Sequence, residues 1–173
     1  HRDRSGARAA GAVRSCPPRP HRGAGGVDHR RCRHRRRDCR AAREAPTAAN
    51  LKKSSIYIIV DPDTPTETEK PNYVESKDVK AIADWVKAGG VLVLMGNDIG
   101  NAEFDHFNQL ASVFGIQFNK DSRNKVPGND FTMGRLIVTP PHPIFKTARN
   151  LYLKEISTLQ VKPPARAVFV DNN

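Results

Sequence analysis

Two short clusters of carboxylates and amides are the residues in this sequence best suited to chemistry. Asp61-Pro62-Asp63 follows the apolar run Ile56–Val60, and Gly96-Asn97-Asp98 follows the run Val91–Met95. In open α/β sheets, ligands bind beyond the carboxyl ends of strands. If the two runs are neighbouring strands, Asp61, Asp63, Asn97 and Asp98 converge on one rim, suited to a sugar hydroxyl or a hard cation such as Ca²⁺. A structural reading competes. Asp and Asn cap turns and helix starts in most proteins, and Asp61-Pro62-Asp63 is itself a natural turn. Position alone is a weak warrant and weighs toward the structural reading.

The other reactive types form no constellation. Thiol-based acyl chemistry needs a cysteine activated by a histidine that a carboxylate orients. His106 and His142 have no cysteine within residues 47–173 to activate, and His142 lies in the turn Pro140-Pro141-His142-Pro143. Cys16, Cys32 and Cys39 sit in the first 46 residues, near His29 and His34 but without the C-x2-C pairing of zinc sites. Gly100, Gly128 and Gly134 make no G-x-G-x-x-G or P-loop pattern, so nucleotide binding has no motif. The expectation is therefore no catalytic residue, no cofactor and no metal, with Asp61, Asp63, Asn97 and Asp98 as binding candidates.

The elements that would position this rim are strands alternating with helices. Ile56–Val60 and Val91–Met95 are unbroken β-branched and aliphatic runs, the pattern of buried parallel strands. Between them Val79, Ile82, Ala83 and Val86 recur at helical spacing, with Lys77, Lys80, Asp84 and Lys87 outward. Ser76 is the expected N-cap and Gly89-Gly90 the stop. Trp85, beside that stripe, is expected to pack on the sheet rather than stack on sugar. A second helix is expected over residues 102–114, followed by a short strand Ile116–Phe118 and a loop to Asp130. Further short strands are expected at 131–138, 151–153, 156–161 and 167–170, with a helical turn at 144–148. This predicts an α/β fold: an open, mostly parallel sheet with flanking helices, truncated at both ends.

Charge divides the chain. Of 173 residues with net charge +11, the first 46 hold 14 Arg, no Lys and four acids, a net of +10, and residues 47–173 hold a net of +1. The first segment lacks Leu, Ile, Met, Phe, Tyr and Trp, so it cannot offset the roughly 1–2 kcal/mol that ordering each residue costs. It is expected to be disordered. As a nucleic-acid arm it lacks any aromatic for stacking. Arg without Lys, among Ala, Gly, Pro, His and Cys, instead matches GC-rich DNA read out of frame. No apolar run approaches the roughly 20 residues of a membrane-spanning helix, so no membrane partner is expected. Nor does the chain carry a localisation signal.

Three strings carry a resemblance. They are Ile56-Tyr57-Ile58-Ile59-Val60-Asp61-Pro62-Asp63-Thr64 with Glu69-Lys70-Pro71-Asn72-Tyr73, Ala83–Asp98 with its Ala-Asp-Trp-Val-Lys-Ala-Gly-Gly-Val-Leu-Val-Leu-Met-Gly-Asn-Asp, and His142–Ala148. From about Ala45 onward the chain resembles the class I glutamine-amidotransferase-like domain, without amidotransferase chemistry, appended to family 88/105 glycoside hydrolases. Those are the unsaturated rhamnogalacturonyl hydrolases of pectin breakdown. The resemblance implies a flavodoxin-like arrangement and a non-catalytic accessory or interaction role. Its implied partners are the hydrolase's catalytic helical barrel or a second copy, with carbohydrate as a further ligand and a periplasmic or extracellular location. It also implies a strand and helix before Ala45-Pro46-Thr47-Ala48, where the Arg-rich segment stands. Two alternatives remain open: a stand-alone hydrolase using the Asp rim, and nucleic-acid binding through the Arg-rich arm.

Overall fold

The computed structural model describes residues 13–16, 40–42 and 45–170. They fall into two compact units. One takes the described residues up to Val60 together with Ser76–Leu94, and the other takes Asp61–Glu75 and the residues from Met95 onward.

The first unit holds β1 (Val13–Cys16), β2 (Arg40–Ala42), α1 (Ala48–Leu51), β3 (Ile56–Val60), α2 (Ser76–Lys87) and the start of β4 (Val91–Met95). The strands form one sheet in the order β2-β1-β3-β4. β1 is antiparallel to both neighbours, with Arg14 opposite Ala41 on one side and Ile58 on the other. β3 and β4 run parallel. The N–H of Val91 donates to the carbonyl of Ser55 at one end (3.0 Å), and that of Asp61 donates to Met95 at the other (2.8 Å).

One expectation about the strands needs correction here. From the Arg-rich segment the described residues include β1 and β2. A strand is held by backbone hydrogen bonds to its neighbours, and β1 obtains these from β3 without an apolar core of its own. The remainder of residues 1–44 lies outside the described residues, as does the question of its disorder. β4 is not the expected buried strand: it lies at the sheet edge, and Val91 and Met95 are half exposed. In β3 only Tyr57 and Ile59 are fully buried, alternating with half-buried neighbours. That is the period of a strand covered mainly on one face.

Helix α2 forms over the expected stripe. Ile82 and Ala83 are buried, and Lys80 pairs with Asp84 one turn away at 2.7 Å on the exposed side. Trp85 lies on the backbone of Gly90, where an added Cβ would stand 2.3 Å from its ring, and meets Tyr57 edge-on at 6.4 Å. It packs on its own unit, as the structural reading expected. Helix α1 is too short for periodicity to reveal. It is set by a capping box in which the Thr47 hydroxyl accepts from Asn50 N–H and the Asn50 side chain accepts from Thr47 N–H.

The second unit contains α3 (Phe104–Ala111), a 3₁₀ turn (Ser112–Phe114), β5 (Ile116–Phe118), a second 3₁₀ turn (Phe131–Gly134), β6 (Arg135–Val138), β7 (Arg149–Tyr152) and β8 (Leu159–Val161). Its core is aromatic. The Phe118 ring lies 5.4 Å from Phe104 and 4.9 Å from Phe107, with Leu110 and Ala111 buried on the same helix. Asn108 fixes β5 to α3 by donating to the carbonyl of Phe118 and accepting from its N–H. Gly115 ends the helical run with φ +75°, beside the carbonyl of Lys162.

β5 pairs antiparallel with β8, and β6 with β7. The architecture is α/β in the general sense, with mixed helices and strands, but the described sheets are small and mostly antiparallel. The mostly parallel open sheet is thereby corrected. Parallel pairing needs a crossover of a dozen or more residues, usually helical. β6 and β7 are instead joined by the proline-rich stretch 139–148, which returns the chain alongside itself. The expected helical turn at 144–148 and strand at 167–170 are irregular backbone. Both stretches are largely exposed and rich in Pro or flanked by it, so neither has the neighbours that would hold a regular element.

Candidate functional site

The carboxyl ends of the two runs are neighbours, joined by the hydrogen bond from Asp61 N–H to the Met95 carbonyl, and all four candidate residues lie in the second unit. Asp61 turns the chain out of β3 with φ +48°, a left-handed conformation that Asp tolerates better than most residues. Its carboxylate Oδ1 accepts the N–H of Asn97 at 2.9 Å, so each strand end holds the other. The Asn97 carbonyl accepts from Ser157 N–H at 3.0 Å.

Asp98 is buried, and both its oxygens are engaged. Oδ1 accepts from the Asn101 amide at 2.6 Å and Oδ2 from the Ser122 hydroxyl at 2.5 Å, while its carbonyl accepts the N–H groups of Asn101 and Ala102. Burial pushes its carboxyl pKa up, but the bonds from Ser122, Asn101 and the backbone outweigh this and hold it below the usual value. Asp121 follows the same rule. Burial raises it, yet the hydroxyl and N–H of Thr158 and the nearby Arg123 leave it lowered.

Asp61 shifts the opposite way. Burial is the main cause, opposed by the Asn97 N–H and reinforced by the negative charges of Glu67, Asp98 and Asp63. The four candidates therefore share one electrostatic neighbourhood. Asp63 enters it by charge, and Glu67 joins it while its Oε2 accepts from the N–H and hydroxyl of Thr64 (2.9 and 3.1 Å).

This arrangement limits the chemistry. Asp98 has its lone pairs directed at its own loops, and Asp61 binds the adjacent turn. Among the described residues, no group of three or more His, Cys, Asp or Glu is placed to hold a metal ion.

A second grouping beside the rim had almost no signal in the sequence. The N–H of Glu103 donates to the carbonyl of Pro62, placing the start of α3 against the Asp61–Asp63 turn. The Glu103 carboxylate caps α3 by accepting from the N–H groups of Asp105 and His106. Its Oε1 also lies 3.3 Å from Nδ1 of His106, whose ring stacks on Tyr73 at 4.3 Å and 8°. The three-residue spacing of Glu103 and His106 on a helix start was legible. Tyr73, 33 positions upstream, was not. His142 is less available than an exposed turn residue would be: its Nδ1 accepts from the N–H groups of Ile144 and Phe145 at 3.1 and 3.2 Å.

Searches of protein-family models, curated proteins and solved structures find no match to this chain. Among the described residues no helix is long and apolar enough to cross a membrane.

Proposed function

We propose that residues 47–173 are a partial, non-catalytic accessory domain of the amidotransferase-like class. It would serve a pectin-degrading unsaturated rhamnogalacturonyl hydrolase by packing against that enzyme's helical barrel or against a second copy. The supporting observation is the turn after β4. In an amidotransferase this strand-to-helix turn carries the nucleophile; here it carries Asn97 and Asp98, and the Asp98 oxygens are taken up by Ser122 and Asn101. A buried carboxylate that accepts from two side chains and from backbone N–H groups stabilises its own loop. The amidotransferase-like arrangement is itself part of the proposal, supported by the parallel β3–β4 pair and the β3-α2-β4-α3 order.

The purified full chain is expected to release no ammonia from glutamine and to leave an unsaturated rhamnogalacturonan disaccharide intact. The flanking DNA, read in all frames, is expected to encode a helical-barrel hydrolase upstream. Turnover of either substrate that disappears in Asp61→Asn would overturn the reading in favour of a hydrolase using the rim.

A further inference from the structure

His142 closes a turn in the connection between β6 and β7, and its two ring nitrogens are in opposite situations. Nδ1 accepts from the N–H groups of Ile144 at 3.1 Å and Phe145 at 3.2 Å. A side chain that accepts from backbone N–H groups a few positions on holds a turn, a part more often taken by Asp, Asn or Ser. Nε2 is buried and meets no hydrogen-bond partner among the described residues. The Phe145 ring lies against the imidazole at 5.1 Å and 29°.

These contacts fix where the proton sits. A nitrogen that accepts two N–H groups carries no hydrogen, so the neutral ring holds its proton on Nε2. An imidazolium has a donor on each nitrogen and no acceptor. In the closed turn its Nδ1–H would face two N–H donors, and its Nε2–H would stay without a partner. Its charge would also need a counter-ion. Among the described residues the ring enters no ion pair, and no charged side chain of this or any other element bonds to it. The charged residues of the stretch from Phe131 to Lys154 are Arg135, Lys146, Arg149 and Lys154, all cations. Lys154 donates to the carbonyl of Gly128.

We propose that the His142 turn is a proton-operated clasp: it closes on the neutral imidazole and opens when the ring takes a second proton, releasing Phe145 and the connection 139–148. Opening gives both ring nitrogens and both backbone N–H groups to water, so the added proton favours the open form. The clasp does not depend on the accessory role proposed above. In the open turn His142 is an ordinary exposed histidine, half protonated at about pH 6.5. A closed turn that admits only the neutral ring is then disfavoured by about thirty-fold at pH 5 relative to pH 8.

Nuclear magnetic resonance of the full chain tests it. At pH 8 the ring ¹⁵N signals of His142 should show the proton on Nε2. Hydrogen-exchange protection at Ile144 and Phe145 should fall by at least ten-fold between pH 8 and pH 5, after correction for the intrinsic pH dependence of exchange. Protection at Leu153, whose N–H donates to the carbonyl of Gly134 in the adjoining ladder, should change by less than two-fold. His142→Asn keeps an acceptor that does not titrate, so protection at residues 144 and 145 should agree within two-fold at the two pH values. A neutral ring protonated on Nδ1 overturns the proposal. So does a fall of less than ten-fold in the unmodified chain, an equal fall at Leu153, or a fall that survives in His142→Asn.

Discussion

Replacing Asp98 by Ala separates a carboxylate that holds loops from one that handles substrate. The buried carboxylate receives the Ser122 hydroxyl, the Asn101 amide and backbone N–H groups. Hydrogen bonds to a charged group contribute about 1.5–3 kcal/mol each, and the cost of burying the charge offsets part of that sum. Two side-chain donors lose their acceptor in the variant but can turn toward water. The expected net loss is about 2–3 kcal/mol for Asp98→Ala, and about 1–2 kcal/mol for Asp98→Asn, which keeps one acceptor and presents a donor to the other partner. The sign with pH follows from the lowered pKa of the folded carboxyl. Stability from this group is fully present above the unfolded value of about 3.9 and is lost as pH falls through the depressed folded value. Asp98→Asn should therefore flatten the acid limb of the stability curve as well as lower stability at pH 7. Urea unfolding followed by circular dichroism at pH 7 and across pH 2–5 measures both. Hydrogen exchange at Asn101 and Ala102, whose N–H groups donate to the Asp98 carbonyl, places the loss in the second unit. A variant within about 0.5 kcal/mol of the unmodified chain, the usual range of an inconsequential surface change, with an unaltered acid limb, would refute the loop-holding role.

Asp61→Asn should have the opposite pH signature. Its folded pKa is raised, so its ionisation opposes folding: relative stability is present below the unfolded value and is lost as pH rises toward the folded one. The Asn keeps an acceptor for the Asn97 N–H, tolerates φ +48° and removes repulsion from Glu67, Asp98 and Asp63. The urea midpoint at pH 7 should rise or stay level and should not fall. Gly115→Ala should cost at least about 2 kcal/mol, because φ +75° strains Ala and its Cβ would meet the Lys162 carbonyl at 2.3 Å; thermal unfolding reads the loss. Burial, with the charge of Asp78 adding, pushes the Tyr57 phenol up to about 12. An absorbance titration at 295 nm should show a late step near that value, absent in Tyr57→Phe. The stability contributed by the neutral phenol should hold below pH 10 and fall as pH rises through 12.

The sequence by itself determined β3, α2, β4, α3 and β5, because each carries a local pattern: an unbroken β-branched run, a three-and-four apolar stripe, or a glycine where the chain must turn left-handed. It also determined that Asp61, Asn97 and Asp98 would stand at strand ends, since strand-end position follows from those runs; that the two strands are neighbours was decided by the fold. Partnering was decided only by the tertiary structure. Nothing local tells β5 to pair with β8 or β6 with β7, and antiparallel pairing there follows from which edges come together rather than from the residues within each strand. The order in Val13–Cys16 and Arg40–Ala42 is of the same kind: strands made by a neighbour's backbone, in a segment whose own side chains give no reason for them. The site shows this division most plainly. Residue types placed a carboxylate at position 98, but whether its lone pairs face a ligand or the chain itself depended on Ser122 and Asn101, one of them 24 positions away, and that is set by how the loops close.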